Sequence, residues 1–245
     1  MRGIRVAVLA IVGSSLMAGC GGDNPTTLRV MAASSLTGAF AEVEAAFELA
    51  VPDVDVVMIT SSSSSLAAQI VDGADVDVFA SADEEQFERA ADARTFDPPR
   101  VFATNSLVII VPPGNPRDVR TVDDLARDDV LVATASEDVP IRRYTDRLLA
   151  MAGVTANFVT FEANVSGIVT KVATGAADAG IVYVSDLVGA DVEGVDVPSQ
   201  LDVVARYPIA AATNSSRAEL ARRFVDFTMS ADGRAILVAN GFTAP

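Results

Sequence analysis

Two stretches of this chain place serines directly between an apolar strand and an amphipathic helix. In the first, residues 28–40, an apolar segment leads to Ser34 and Ser35. In the second, residues 54–70, a strand pattern runs into the serines at 61–65 and then into a helical pattern. Serines in this position can cap a helix, and a helix start offers unpaired N–H groups and a partial positive charge. We predict that several such helix starts converge on one small oxyanion.

The first of these helices has a clear periodic pattern. Its apolar positions recur every three or four residues, so they should share one face and pack into a core. These positions are Leu36, Phe40, Val43 and Phe47.

Composition excludes several classes of function. The 245 residues include 33 acidic and 18 basic ones and no histidine, for a net charge of −15. Nucleic-acid binding needs basic patches, so we do not expect it. Without an imidazole, Ser-His-Asp catalysis and the usual zinc sites are excluded. The single cysteine, Cys20, excludes a disulfide within the chain.

The first residues have the arrangement of an export signal. Arg2 and Arg5 precede an apolar run at 6–17, which at about a dozen residues is too short to span a bilayer stably. The run ends in Leu-Met-Ala-Gly-Cys, which resembles a bacterial lipobox, although Met17 stands where Leu is commoner. We predict a lipoprotein signal peptide over 1–19, a lipid anchor on Cys20 and a tether over 20–27. The alternative is an uncleaved apolar N-terminus with an incidental cysteine.

Strand and helix patterns alternate through most of the remaining chain. This rhythm favours an α/β protein with parallel sheets. We predict further strands at 76–80, 130–134, 158–161 and 179–184, one long extended segment at 101–111, another at 203–212, and helices at 121–127, 142–152, 165–174, 215–229 and 231–240.

Several phrases, taken in order, resemble one family. They are Ala-Ala-Ser-Ser-Leu-Thr at 32–37, Ser-Ser-Ser-Leu-Ala-Ala-Gln-Ile at 63–70, Asp-Val-Asp-Val-Phe-Ala-Ser-Ala-Asp at 75–83, Asn-Ser-Leu-Val at 105–108, Val-Pro at 139–140, Asn-Val at 164–165, Gly-Ala-Ala-Asp-Ala-Gly-Ile-Val-Tyr at 175–183, Tyr-Pro-Ile-Ala at 207–210 and Gly-Phe at 241–242. This ordered set is similar to the molybdate-binding proteins that feed ATP-driven (ABC) importers. The resemblance spans about residues 28–242.

The resemblance implies a two-lobed α/β fold, the type II periplasmic-binding-protein fold, with ligand in the inter-lobe cleft. Lobe I would comprise 28–104 and 207–245, and lobe II would comprise 105–206. The two crossings between the lobes would fall near 101–105 and 205–209.

The resemblance also implies a set of ligand-binding residues. Ser35 and Ser63 would donate hydroxyl and N–H groups, Ile141 and Val165 would donate backbone N–H groups at helix starts, and Tyr183 would donate its phenolic hydroxyl. Molybdenum would be held as molybdate through these residues. Taken singly, each serine is also explained as an N-cap, and the tyrosine as a core residue with a satisfied hydroxyl.

The chain departs from the family pattern at two helix starts. Ile141-Arg142 replaces the usual small residues, and Ser166-Gly167 stands where an Arg is common. Backbone donors tolerate such changes, but the size of the pocket depends on them. Arg142 could lean toward the anion or be a solvated helix residue. We interpret Gly180 as a close-packing residue and not as a ligand contact.

These features predict a binding protein, not an enzyme, without a cofactor. Molybdate and tungstate are proton-free dianions that only accept hydrogen bonds, so neutral donors suit them. The partners of the protein would be the oxyanion, a membrane permease and, through a lipid on Cys20, the membrane itself. The protein would lie on the outer face of the cell membrane, and we expect a monomer. One alternative is a binder of another small anion such as sulfate. Another is a surface hydrolase that uses a serine with Lys171.

Overall fold

The computed structural model describes residues 25–245. Its helices are α1 (Thr37–Ala50), α2 (Ser63–Val71), α3 (Glu84–Ala93), α4 (Pro140–Ala152), α5 (Val165–Ala173), α6 (Ala218–Thr228) and α7 (Ala231–Ala239). Its strands are β1 (Thr26–Ala33), β2 (Val54–Ser61), β3 (Val78–Ala80), β4 (Arg100–Asn105), β5 (Leu107–Val111), β6 (Val132–Ala135), β7 (Phe158–Glu162), β8 (Ala179–Tyr183), β9 (Glu193–Asp196) and β10 (Ala205–Ala211). The predicted signal peptide and Cys20 lie outside the described residues, as does most of the predicted tether. β1 begins two residues before the predicted start, because Thr26 and Thr27 already pair with β2.

The strands form two separate five-stranded sheets with helices packed against them. The first has the order β2-β1-β3-β10-β4, and the second has the order β7-β6-β8-β5-β9. The prediction of parallel sheets is correct for β1, β2 and β3 and for β6, β7 and β8. It is wrong for β10 and β5, which run antiparallel to their neighbours. These are the strands by which the chain enters a sheet after leaving the other one.

The chain passes between the sheets at two adjacent places. β4 ends at Asn105 in the first sheet, and β5 begins at Leu107 in the second. The chain returns at Ala205, and β10 pairs antiparallel with β4. The predicted single extended segment over 101–111 is therefore two strands of different sheets. Apolar pattern alone cannot locate such a break, because the end of β4 and the whole of β5 are buried.

We call the part built on the first sheet the first lobe and the part built on the second sheet the second lobe. The core of the first lobe is built around α1. Leu36, Phe40, Val43 and Phe47 are each at most 1% exposed, which confirms the predicted apolar face. The ring of Phe224 on α6 lies 5.1 Å from that of Phe47, so the C-terminal helices return to this lobe. Burial of each such side chain contributes roughly 1.5–3 kcal/mol to stability.

Two predictions of local structure are wrong. The mostly apolar sequence at 54–60 predicts a largely buried strand, but β2 is an edge strand and only Val56 in it is buried. The helix expected over 121–127 is a short 3-10 turn, Val122–Ala126, which is stabilised by hydrogen bonds from the N–H groups of Arg120 and Thr121 to Asp124.

Gly180 is the second residue of β8 and lies against α5. A Cβ atom added there would come within 2.6 Å of Cγ2 of Ile168. This contact confirms the interpretation of Gly180 as a close-packing residue. Within residues 25–245, every helix is too short or too polar to cross a bilayer.

Candidate functional site

One small cavity between the two sheets is lined by all five residues that the sequence analysis predicts as ligands. It has about 200 Å³ of empty space, part of it open to solvent. Its lining residues are Ala33, Ser34, Ser35, Ser62, Ser63, Ala82, Val139, Pro140, Ile141, Val165 and Tyr183. The first lobe contributes the serines, and the second contributes Ile141, Val165 and Tyr183. Their role as ligands stays a prediction.

Ser63 is the first residue of α2 and lies 1% exposed at the cavity. Ser62 is the N-cap, and its hydroxyl oxygen accepts a hydrogen bond from the Ser65 N–H at 3.2 Å. This confirms that a serine of the 61–65 run caps the helix. The Ser63 oxygen accepts from the Ala82 N–H at 2.9 Å. Since that bond uses the oxygen as acceptor, the hydroxyl proton of Ser63 remains free to be donated.

Ser35 reaches the cavity in a different way. Residues 34–36 form a 3-10 turn without a side-chain cap, so the prediction that Ser34 or Ser35 is an N-cap is wrong. The chain turns from β1 directly into this turn, and Ala33 occupies the cap position. The Ser35 hydroxyl instead lies 3.1 Å from the hydroxyl of Tyr207 on β10. Either hydroxyl can be the donor of this bond; when Tyr207 donates, the Ser35 proton is left for a ligand in the cavity.

Two helix starts in the second lobe line the cavity. α4 begins with Pro140 at its first position, and Ile141 follows. α5 begins at Val165, and the side chain of Asn164 caps it by accepting from the Gly167 N–H at 3.0 Å. The first N–H groups of a helix have no partner within it. Across residues 25–245, the N–H groups of Ile141 and Val165 make no hydrogen bond to the protein.

Tyr183 ends β8 and presents an unpaired hydroxyl. Its side chain is 1% exposed, and its hydroxyl oxygen has no hydrogen-bond partner in the described part of the chain. Burial, together with the neighbouring Tyr207, raises the pKa of Tyr183 well above 10. The phenol therefore stays protonated at neutral pH and can donate to an anion. The alternative of a core tyrosine with a satisfied hydroxyl is not what the structure has.

Tyr183 is the middle member of a row of aromatic rings. Its centroid lies 6.1 Å from that of Tyr144 and 5.8 Å from that of Tyr207, both in edge-on geometry. Tyr207 is fully buried, and its role as the partner of Ser35 was not predicted. Nothing in the phrase Tyr-Pro-Ile-Ala distinguishes a residue that orients another from an ordinary core tyrosine.

None of the side chains that line this cavity is charged. Arg142 takes neither of the two predicted positions. Its guanidinium bonds to Asp146 at 2.8 Å and stacks 5.1 Å from the ring centroid of Phe158 and 5.7 Å from that of Phe161. It is held against strand β7 with 15% of its side chain exposed, so it is neither solvated nor turned toward the cavity.

A second, larger cavity adjoins the first through Ser34 and Ser35, with about 770 Å³ of empty space that includes open solvent. Ser166 and Asp186 also line it. Burial raises the pKa of Asp186 from 3.8 to about 7, even though its carboxylate accepts a hydrogen bond from the Tyr183 N–H at 3.0 Å.

Comparison with known proteins places this geometry in a family. Residues 28–243 match the bacterial extracellular solute-binding proteins. The molybdate-binding protein ModA of Mycobacterium tuberculosis is 38% identical over 262 aligned positions, which cover 100% of both chains.

Two solved structures share the fold. The periplasmic molybdate-binding protein of Azotobacter vinelandii has a TM-score of 0.79 at 21% identity, over 89% of this chain and 99% of that one. The sulfate-binding protein SubI of Mycobacterium tuberculosis also has a TM-score of 0.79, at 18% identity, over 89% of this chain and 87% of that one. This likeness confirms the predicted two-lobed periplasmic-binding-protein fold. With the match over residues 28–243, it follows that the chain belongs to the bacterial extracellular solute-binding proteins.

Proposed function

We propose that this protein captures molybdate outside the cytoplasm and delivers it to the permease of an ABC importer. The observation that carries this function is the uncharged cavity between the lobes, with its hydroxyl and amide donors. The full-length similarity to a molybdate-binding protein supports the same ligand.

The chemistry of the ligand matches the chemistry of the donors. Molybdate is a dianion without protons at neutral pH, so each of its oxygens only accepts hydrogen bonds. Ser35, Ser63 and Tyr183 offer hydroxyl protons, and Ile141 and Val165 offer backbone N–H groups at helix starts. Dipoles held in a closed cleft can stabilise such a charge without a formal cation. Tungstate has nearly the same size and should bind in the same way.

Phosphate fits this donor set less well. It carries a proton near neutral pH, and a phosphate site should include an acceptor carboxylate. The residues that line the cavity include none. Sulfate is also a dianion without protons, but its bonds are shorter than those of molybdate. It is the second candidate ligand, since a sulfate-binding protein has the same fold.

A serine hydrolase is disfavoured by the surroundings of the only lysine. Lys171 lies in the last turn of α5, and its Nζ is 4.0 Å from a carboxylate oxygen of Glu162. Its partner is therefore an acid and not a nucleophilic serine. The chain has no histidine that could serve as the base instead.

We further propose the lobe boundaries 28–104 with 207–245 and 105–206, a monomeric state and a lipid anchor on Cys20. The anchor would hold the protein on the outer face of the cell membrane. Replacement of Cys20 by Ser should release the protein into the medium, and unchanged membrane association would refute the anchor.

A thermal-shift panel with molybdate, tungstate, sulfate and phosphate tests the function. At 100 times its dissociation constant, a ligand should stabilise the fold by about 2.7 kcal/mol. We expect shifts with molybdate and tungstate and a smaller one, or none, with sulfate. A double variant, Ser35→Ala with Ser63→Ala, should lose the shift, whereas Ser199→Ala, at an exposed site, should keep it. A shift with phosphate alone, or with none of the anions, would contradict the function.

A further inference from the structure

Three consecutive acidic residues lie at the edge of the oxyanion cavity. Asp83, Glu84 and Glu85 directly follow Ala82, which lines the cavity, and they begin α3 in the first lobe. An acidic cluster here opposes the entry of an anion, in a chain whose net charge is already −15. Each of these carboxylates is paired with an arginine.

The pairing crosses the cleft. Arg143 of α4, in the second lobe, forms ion pairs with both Asp83 and Glu85. Arg206, at the start of β10 where the chain returns to the first sheet, lies 3.3 Å from Glu84. The hydroxyl of Tyr144, next to Arg143, also lies 3.4 Å from the Ala82 carbonyl oxygen.

We infer that Arg143 is a positioning residue for oxyanion binding. It holds the first turn of α4, which carries the Ile141 N–H, against the first lobe, and it cancels negative charge at the entrance. This inference rests on the proposed function. It adds a residue that does not touch the ligand and that lies outside the predicted ligand set.

Burial makes the pair with Asp83 the stronger of the two. The Asp83 side chain is 6% exposed, and its Oδ1 already accepts the Gln86 N–H at 2.9 Å as the N-cap of α3. A buried carboxylate that loses its cation must be resolvated, so the closed form without Arg143 is penalised. Glu85 is 70% exposed, and its pair contributes less. The Arg143 charge also reaches the site, because it partly opposes the rise in the pKa of Tyr183 that burial causes.

The test compares Arg143→Gln with Arg147→Gln in the full chain. Arg147 lies one turn further along α4, is exposed, and has no ion pair among the described residues. Release of radiolabelled molybdate is followed during a chase with unlabelled ion, and association is measured across a salt series. For Arg143→Gln we expect release about 30-fold faster or more, because that is the lower end of the effect found when a buried charge loses its partner. Association should be slower at low salt, and the difference should shrink as salt rises. Arg147→Gln should match the wild type.

A double-mutant cycle separates the ion pairs from a general packing role. In a background of Asp83→Asn and Glu85→Gln, Arg143→Gln should have little further effect on release. Asn keeps the N-cap of α3, so that background should still fold. Equal release from the Arg143 and Arg147 variants, or an undiminished effect in the neutralised background, would overturn the inference.

Failure of the proposed function is seen separately, in the wild type. If the wild type binds none of the four oxyanions, the proposed function is wrong. The role of the ion pairs in closure is then tested on the ligand-free protein. Spin labels on the two lobes then report the distance between them. A longer distance in Arg143→Gln than in Arg147→Gln supports the role in closure, and equal distances overturn it.

Discussion

Replacement of Tyr183 by Phe separates ligand binding from stability at a single atom. The hydroxyl oxygen is buried and has no partner among the described residues, and the ring packs between two other tyrosines. A buried polar group left unpaired costs about 1–3 kcal/mol. Its removal should therefore raise the free energy of unfolding of the ligand-free protein, or leave it unchanged if water reaches the hydroxyl in the open form.

Binding should change in the opposite direction. A hydrogen bond to a charged group contributes about 1.5–3 kcal/mol. Loss of the Tyr183 donor should then raise the dissociation constant for molybdate by about 10- to 150-fold. Few substitutions in a core are expected to weaken binding while they preserve or increase stability.

Isothermal titration with molybdate and denaturant unfolding measure the two effects. Tyr144→Phe is the matched control, because its ring packs edge-on against that of Tyr183 and its hydroxyl makes a 3.4 Å contact to the Ala82 carbonyl. The control should change affinity by less than about threefold, since a long contact of this kind contributes little. Unchanged affinity in Tyr183→Phe would refute the role of the hydroxyl, and a loss of stability would refute the view that it is unpaired.

Three further substitutions test other parts of the structure. Tyr207→Phe should weaken molybdate binding by about tenfold or less, since the Ser35 hydroxyl loses one orienting bond worth about 0.5–1.5 kcal/mol; titration calorimetry that finds wild-type affinity would contradict this. Gly180→Ala should lower the free energy of unfolding in denaturant by about 1–3 kcal/mol because its Cβ would collide with Ile168, and a stabilised variant would disprove the close contact. Burial raises the pKa of Asp186 from 3.8 to about 7, above its value in the unfolded chain. Its contribution to stability is thus present below about pH 4 and is lost as the pH rises through 7. In Asp186→Asn the free energy of unfolding, measured across pH, should fall less over this range; an equally steep fall would contradict the raised pKa.

The sequence predicted the parts of the fold that depend on local pattern. The buried face of α1 follows from helical periodicity, and the cap of α2 follows from serines placed between a strand and a helix. Position in a sheet is not local. β2 has an apolar sequence, yet it lies at an edge, because within the described residues it pairs with β1 alone. Periodicity carries no information about which strand has a second neighbour.

The candidate site was predictable in its members but not in its connections. The ordered family phrases nominated Ser35, Ser63, Ile141, Val165 and Tyr183, and these line one cavity. Their hydrogen-bond partners come from residues far away in the chain, as with Tyr207, 172 positions beyond Ser35.

Arg142 shows the same limit from another side. Its place between Asp146 and two phenylalanines depends on how α4 lies across the second sheet. The sequence of α4 by itself predicts that Arg142 faces either solvent or ligand. Packing against the second sheet gives it a third position.

The row of tyrosines has a practical consequence. The protein has no tryptophan, and its three tyrosines, Tyr144, Tyr183 and Tyr207, all stand in this row beside the cavity. Every fluorescent tyrosine of the protein therefore lies near the interface between the two lobes. Intrinsic emission should report occupancy and closure without an attached dye and with almost no background from the rest of the chain.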